Sequence, residues 1–181
     1  MLTPILPALA GTTRFILVQT LQNENVGAAA RAIKTMGFHD LCLVEPSDPN
    51  VLRRSKTIRR ASGALDILEQ CTIYDTVEDA LHGCHIKCAT GMPTSMGLPR
   101  SEQHYQEPRQ FFPQQVLLES KRPIHIAFVF GNEKYGLQEH HLDACNVVLG
   151  IPTNPKFGSL NLAAAVQIIA YDWRQALGGF S

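Results

Sequence analysis

The sequence predicts an α/β fold, a mostly parallel sheet flanked by helices. Short apolar, β-favouring runs alternate along the chain with helical segments, the pattern of parallel strands joined by crossover helices. Three polar sets stand directly after such runs: Asn25 with Arg31, Gly131-Asn132-Glu133, and Ser159-Leu160-Asn161. Ligands of an open α/β sheet bind beyond the carboxyl ends of its strands, so three polar lips at such ends suggest one shared site.

Length and composition bound the rest. A chain of 181 residues supports one domain with a full core and is short for two. Formal net charge is zero, so no global field steers the molecule, and a nucleic-acid partner has to be held by a local patch. Five cysteines (Cys42, Cys71, Cys84, Cys88, Cys145) are an odd number in unrelated contexts, which suits a reducing compartment better than a disulfide framework. The opening MLTPILPALA has two prolines and no basic region, unlike a signal peptide. No apolar run reaches bilayer length, and a cytoplasmic location is expected, with no membrane partner.

In order, residues 14–19 (RFILVQ) read as the first strand and 20–24 as a polar turn. Asn25 opens a helix that ends at Gly37, where a C-terminal glycine belongs. Residues 41–45 form the second strand, followed by a basic helical segment and a helix over 61–70. A short strand at 72–74, a helical turn at 77–82 and a strand at 86–90 come next. Two prolines and two glycines make 91–100 a loop; 107–120 is helical with an interruption at Pro113. Residues 124–130 (IHIAFVF) are a buried strand, 137–145 a short helix and 147–151 the last strand. The stretch 151–177 starts as a proline-held loop and becomes a long helix, with Leu162, Val166, Ile169 and Trp173 forming one apolar stripe. Ser159 sits where an N-cap belongs, which would offer its hydroxyl together with the free N–H groups of the first turn. The sequence shows no internal repeat and no linker.

Each candidate has a plainer reading. Asn25 and Ser159 could simply cap helices, Asn161 could face solvent, and Glu133 could be an exposed turn acid or the start of the next helix. Arg31, the lone charge in GAAARAI, needs a partner, either a carboxylate or a phosphate, and its planar fork suits the latter. Arg53, Arg54, Lys56, Arg59 and Arg60 form the densest charge run, with no acid between Asp48 and Asp66. On one helix Arg53, Lys56 and Arg60 would share a face, either a solvated surface or the footprint of a phosphate backbone. His82, Cys84, His85 and Cys88 lack the second half of a zinc spacing, so no metal is expected. The Lys-Ser/Thr of a P-loop, the G-x-G-x-x-G of a dinucleotide fold and the G-x-S-x-G of a hydrolase are all missing.

Three segments taken together carry a resemblance. They are Asn25-Val26-Gly27-Ala28-Ala29-Ala30-Arg31, Phe130-Gly131-Asn132-Glu133-Lys134-Tyr135-Gly136-Leu137, and Ile151-Pro152-Thr153-Asn154-Pro155 running to Ser159-Leu160-Asn161-Leu162-Ala163. In order and spacing they resemble the three motifs of SpoU-type RNA ribose methyltransferases of the SPOUT class. RAIKTMGF and the C-terminal wording are similar to the members that methylate an anticodon-loop pyrimidine of tRNA. The resemblance implies a SPOUT fold with a C-terminal deep trefoil knot, a homodimer across the knot region, and S-adenosylmethionine as cofactor. It implies cofactor loops at Thr90-Gly91-Met92, Gly131, and Ile151 with Gly158-Ser159-Leu160. Arg31 would contact the target phosphate and assist deprotonation of the ribose hydroxyl, mainly electrostatically. Asn25, Ser159 and Asn161 would orient the ribose and Arg31, while Glu133 would fix its loop and hold Arg31. The basic run would bind RNA. Residues 1–181 read as a single SPOUT methyltransferase domain, with room for a C-terminal extension such as the tRNA-modifying members carry. Three other readings are a ribosomal-RNA methyltransferase of the same fold, an inactive RNA-binding module distinguished by failure to bind S-adenosylmethionine, and a different α/β enzyme binding a nucleotide at the same sheet edge, weakened by the missing phosphate motifs and distinguished by preference for ATP or NAD.

Overall fold

Six strands lie side by side in the order β3-β2-β1-β5-β4-β6, all parallel. They are β1 (Thr13–Val18), β2 (Asp40–Val44), β3 (Thr72–Tyr74), β4 (Ile86–Gly91), β5 (Ile126–Phe130) and β6 (Val147–Gly150). The helices between and after them are α1 (Asn23–Thr35), α2 (Ser55–Ala61), α3 (Leu65–Glu69), α4 (Val77–Ala80), α5 (Pro108–Leu118), α6 (Glu139–Asp143) and α7 (Leu162–Ala176). This computed structural model describes residues 11–91, 105–119 and 121–180.

Side-chain alternation sorts the strands into two cores. Phe15, Leu17, Leu41, Leu43, Phe128 and Phe130 face one side, where residues of α1, α3, α5 and α7 cover them. Ile16, Val18, Cys42, Val44, Ala127 and Val129 face the other, under residues of α4 and α6. The predicted stripe of α7 is buried throughout. Its Trp173 packs edge-on against Phe112 and Phe128 and donates its indole N–H to Thr13 Oγ1 at 2.9 Å. Burying that ring with its one polar atom satisfied anchors α7 across the sheet.

Several boundaries differ from expectation. The α1 helix begins at Asn23, so Asn25 lies inside its first turn rather than opening it. The basic segment is broken: residues 51–53 form a single 3-10 turn, and Arg54 is extended before α2 starts. Arg53 therefore does not continue the helical face of Lys56 and Arg60. The expected 61–70 helix is split at Gly63 into the end of α2 and α3. Pro113 does not interrupt α5, which runs through it and loses only the bond that its missing N–H would make.

The chain builds outward from β1 to β3 on one side and fills β5, β4 and β6 on the other. The order reverses between β1 and β5. At this switch point the loops leaving the two strands diverge and open a crevice. The loop that leads into α1, whose first turn holds Asn25, and the loop carrying Glu133 both leave from it.

Candidate active site

A hydrogen-bond chain joins the three polar lips. The carboxylate of Glu133 accepts the side-chain N–H of Asn25 at 3.0 Å, and the Asn25 side-chain oxygen Oδ1 accepts the side-chain N–H of Asn161 at 3.0 Å. The Asn161 oxygen in turn accepts the N–H groups of Ala163 and Ala164 at 2.9 and 3.3 Å. Each amide has only one orientation consistent with both of its neighbours. The chain thus runs from an anion to the positive end of a 15-residue helix, an arrangement that favours polarisation in one direction.

Glu133 does more than end that chain. It also accepts the backbone N–H groups of Leu21 and Gln22, at 2.8 and 3.2 Å. A carboxylate from the β5 loop therefore ties down the amides that precede α1, where the helix needs acceptors. The exposed-turn reading of Glu133 fails on these contacts. The same contacts leave it bonded to the α1 entry rather than to Arg31, against expectation.

The N-cap of α7 is Asn161, not Ser159. The amide side chain reaches two first-turn N–H groups from a residue directly next to the helix, whereas Ser159 lies two residues earlier and is exposed. Those N–H groups are consequently occupied, and the Ser159 hydroxyl, without a hydrogen-bond partner among the described residues, stands on the lip without them. Asn25 is only 5% exposed, and its amide also reaches Gln22 Oε1 at 3.3 Å. Its hydrogen-bonding capacity is largely used within the protein.

Arg31 stands apart. It belongs to the outer stripe of α1 with Glu24, Ala28 and Thr35, and among the described residues its exposed guanidinium has no hydrogen-bond or ion-pair partner. Six residues separate it from Asn25, about 120° round the helix and about 9 Å along it. One protomer therefore does not bring Arg31 to the Glu133–Asn25–Asn161 chain.

The cofactor candidates collect at the carboxyl ends of the adjacent strands β5, β4 and β6. Thr90 is buried and donates its hydroxyl to the carbonyl of Val129 at 2.9 Å, and Gly91 pairs with Gly150 on the last rung between β4 and β6. A Cβ on Gly131 would meet the Gly136 carbonyl carbon at 2.1 Å, so only glycine lets the 131–136 turn close. Ile151 is buried, Gly158 and Leu160 are half-buried, and Met92 lies outside the described residues. At the β1 end of the same edge, Thr20 Oγ1 is a buried side-chain polar atom without a hydrogen-bond partner.

The basic run sits beside α1. Arg53, Arg59 and Arg60 are exposed with no carboxylate partner among the described residues. Lys56 pairs with Glu24 at 3.4 Å, and Arg54 grips Asp48 at 2.7 Å. That hydrogen bond from Arg54 holds the Asp48 carboxyl well below the usual range. Burial pushes the Cys42 and Cys145 thiols up to about 12, which makes them poor nucleophiles. No group of three or more potential metal ligands gathers among the described residues, and no described helix is long and apolar enough to cross a membrane.

Residues 12–171 match the profile of the SpoU rRNA Methylase family, a stretch that contains all three polar lips. This chain belongs to that family. Within it, the chain is 39% identical over 164 residues to the "tRNA (cytidine/uridine-2'-O-)-methyltransferase TrmJ" of Photorhabdus laumondii, covering 90% of this chain and 64% of the relative. The chain thus spans just under two thirds of that protein. A probable methyltransferase from Bordetella pertussis Tohama I has the same architecture, with a TM-score of 0.80 and 34% identity over 92% of this chain and 95% of its own. The SpoU methyltransferase AviRb from Streptomyces viridochromogenes, solved in complex with the cofactor AdoMet, shares the fold at a TM-score of 0.70 and 19% identity. It covers 93% of this chain and 62% of AviRb.

Sequence reasoning missed the Leu21 and Gln22 amides as ligands of Glu133, since no pattern in residue types reports a backbone contact between distant loops. It also missed Gln22 as a partner of Asn25. One further signal was present in the wording: Asn-Glu-Lys-Tyr-Gly at 132–136 is echoed by Asn-Pro-Lys-Phe-Gly at 154–158. A five-residue motif does recur after all.

Proposed function

We propose that this chain transfers a methyl group from S-adenosylmethionine to a ribose 2′-hydroxyl of RNA, an anticodon-loop pyrimidine of tRNA being the target. The observation that carries the reading is the Glu133–Asn25–Asn161 chain at the topological switch point. Membership of the SpoU family and the tRNA substrate in the name of the Photorhabdus relative support it.

The residues present fit the cofactor. Three glycine-bearing strand ends, with Ile151 and Leu160 as apolar surface, suit a flat adenine and a flexible amino-acid tail, because a missing Cβ lets backbone approach a ligand closely. Thr90, Gly91, Met92, Gly131, Ile151, Gly158, Ser159 and Leu160 would hold it. When bound, S-adenosylmethionine supplies an electrophilic methyl.

The chain's own residues supply position and charge. Glu133, Asn25 and Asn161 act as positioning residues that lock three loops into one frame. Ser159 offers its exposed hydroxyl to the ribose. Arg31 binds the phosphate beside the target and stabilises negative charge as the 2′-hydroxyl gives its proton to solvent; guanidinium holds its own protons too tightly to serve well as a base. We read the working form as a homodimer through the knotted C-terminal region, with Arg31 of one protomer serving the site of the other. Its position on a different face of α1 from Asn25 favours that division. Arg53, Arg54, Lys56, Arg59 and Arg60 form the RNA-facing patch, and residues 1–181 form a single SPOUT domain working in the cytoplasm.

The test is transfer of labelled methyl from S-adenosylmethionine to separate tRNA and ribosomal-RNA pools, followed by nucleoside mass spectrometry. A 2′-O-methylated pyrimidine in tRNA is expected. Product only in ribosomal RNA would replace the substrate and keep the reaction. Absence of both transfer and cofactor binding would reduce the protein to an RNA-binding module.

A further inference from the structure

We propose that the turns after β5 and β6 form a paired nucleobase-stacking platform, with Tyr135 and Phe157 as the rings and Lys134 and Lys156 as their phosphate contacts. The inference rests on the reading of this chain as an RNA methyltransferase and identifies the part that grips the unpaired strand.

The two turns share sequence and geometry. In Asn132-Glu133-Lys134-Tyr135-Gly136, the Asn132 side-chain oxygen accepts the N–H groups of Lys134 and Tyr135 at 3.0 and 2.6 Å. In Asn154-Pro155-Lys156-Phe157-Gly158, the Asn154 oxygen accepts the N–H of Lys156 at 3.0 Å. A short antiparallel bridge closes each turn, Asn132 to Gly136 and Asn154 to Phe157. An asparagine thus braces the backbone under each ring. Neither ring packs into the core: Tyr135 is 69% and Phe157 80% exposed. A lysine precedes each, and Lys134 Nζ lies 5.1 Å from the Tyr135 ring centroid.

Position links the pair to the site. Glu133 belongs to the first turn and joins the hydrogen-bond chain, while the second turn leads directly to Ser159 and Asn161. The parent strands flank β4, so they stand two strand spacings apart, about 10 Å. An RNA strand presenting its ribose at this edge passes over both turns. Unpaired bases stack on exposed aromatic rings, and neighbouring cations meet the backbone. The lysine beside each ring matches that charge pattern, which an apolar protein partner does not require.

The test is equilibrium binding of the full chain to a fluorescent tRNA anticodon stem–loop without methyl donor. Tyr135→Ala and Phe157→Ala are each expected to weaken binding roughly 5- to 100-fold, with S-adenosylmethionine affinity unchanged by calorimetry. Tyr135→Phe and Phe157→Tyr should bind as wild type, and leucine at either position should behave as alanine. Alanine variants that bind as tightly as wild type, or leucine variants that restore binding, would overturn the proposal. So would a changed oligomeric state in the alanine variants by sedimentation, since the rings would then be subunit contacts. Ring-dependent binding without any methyl transfer would sink the methyltransferase reading and leave the platform standing. Failure of the wild type to bind RNA overturns both.

Discussion

At the scale of single residues, Asn25 shows how burial converts a polar side chain into a structural device. A buried amide has to be hydrogen-bonded, and leaving one unpaired costs about 1–3 kcal/mol. Here the partners are Glu133 and Asn161, so the pairing that satisfies the amide also joins three loops. A double-mutant cycle of Asn25→Ala and Asn161→Ala should therefore give a coupling of about 1 kcal/mol in urea unfolding. Strictly additive effects would show that the bond contributes nothing. Arg31 is the opposite case, an exposed cation whose guanidinium no described residue engages. Arg31→Ala should lower kcat by about 100-fold or more with cofactor affinity and thermal midpoint nearly intact. Parallel loss of both would make Arg31 structural. The small-residue surroundings of Arg31 predicted a partner, yet among the described residues its guanidinium has none. That Asn25 was already satisfied was not legible in the sequence, because its partners lie 108 and 136 residues away.

At the scale of elements, the close contact of α1 with α2 depends on Gly27. A Cβ there would stand 2.0 Å from the carbonyl oxygen of Thr57 and 2.9 Å from the Ala61 nitrogen, both backbone atoms. Gly27→Ala should cost about 1–3 kcal/mol through forced separation of the helices, seen as a lower urea midpoint, despite alanine's better helix propensity. Unchanged stability would mean that the two helices slide apart freely. The α6 helix carries a pH dependence. His141 Nδ1 accepts the Gln138 N–H at 3.0 Å, which requires the neutral ring, and burial holds its pKa below the ordinary 6.5. The unfolded chain therefore binds the proton more readily, so this contribution to stability is full above about pH 6.5 and falls as the pH drops below it. Wild type should lose more stability than His141→Gln between pH 7.5 and 5; equal losses would dismiss the histidine. Most strands and helices were visible as periodicity. The break before α2 was not, because Arg54 leaves the helical path to pair with Asp48, a contact that charge counting registers only as a basic run.

At the scale of the molecule, zero net charge and a local cationic surface together predict how RNA binding responds to salt. Arg53, Arg59 and Arg60 are unpaired among the described residues, whereas Arg54 is engaged with Asp48. Arg59→Ala and Arg60→Ala should each weaken RNA binding and reduce the slope of log affinity against log salt by about one, and Arg54→Ala by less. A slope that none of them alters would place the RNA elsewhere. The unpaired arginines are too few to act at long range at physiological ionic strength, so the proposed patch would orient RNA only once it is at the surface.

Fold class, the order of the elements and the three polar lips could be read from residue order, because they follow from local periodicity and from residue types at strand ends. Which lip residues brace the loops and which stand outside that bracing became visible with the folded chain. The fold assigned the cap of α7 to Asn161 instead of Ser159, tied Glu133 to the entry of α1, and left Arg31 on another face. Hydrogen bonds between loops more than a hundred residues apart depend on the relative positions of β1, β5 and α7, and those are set by packing of the whole sheet.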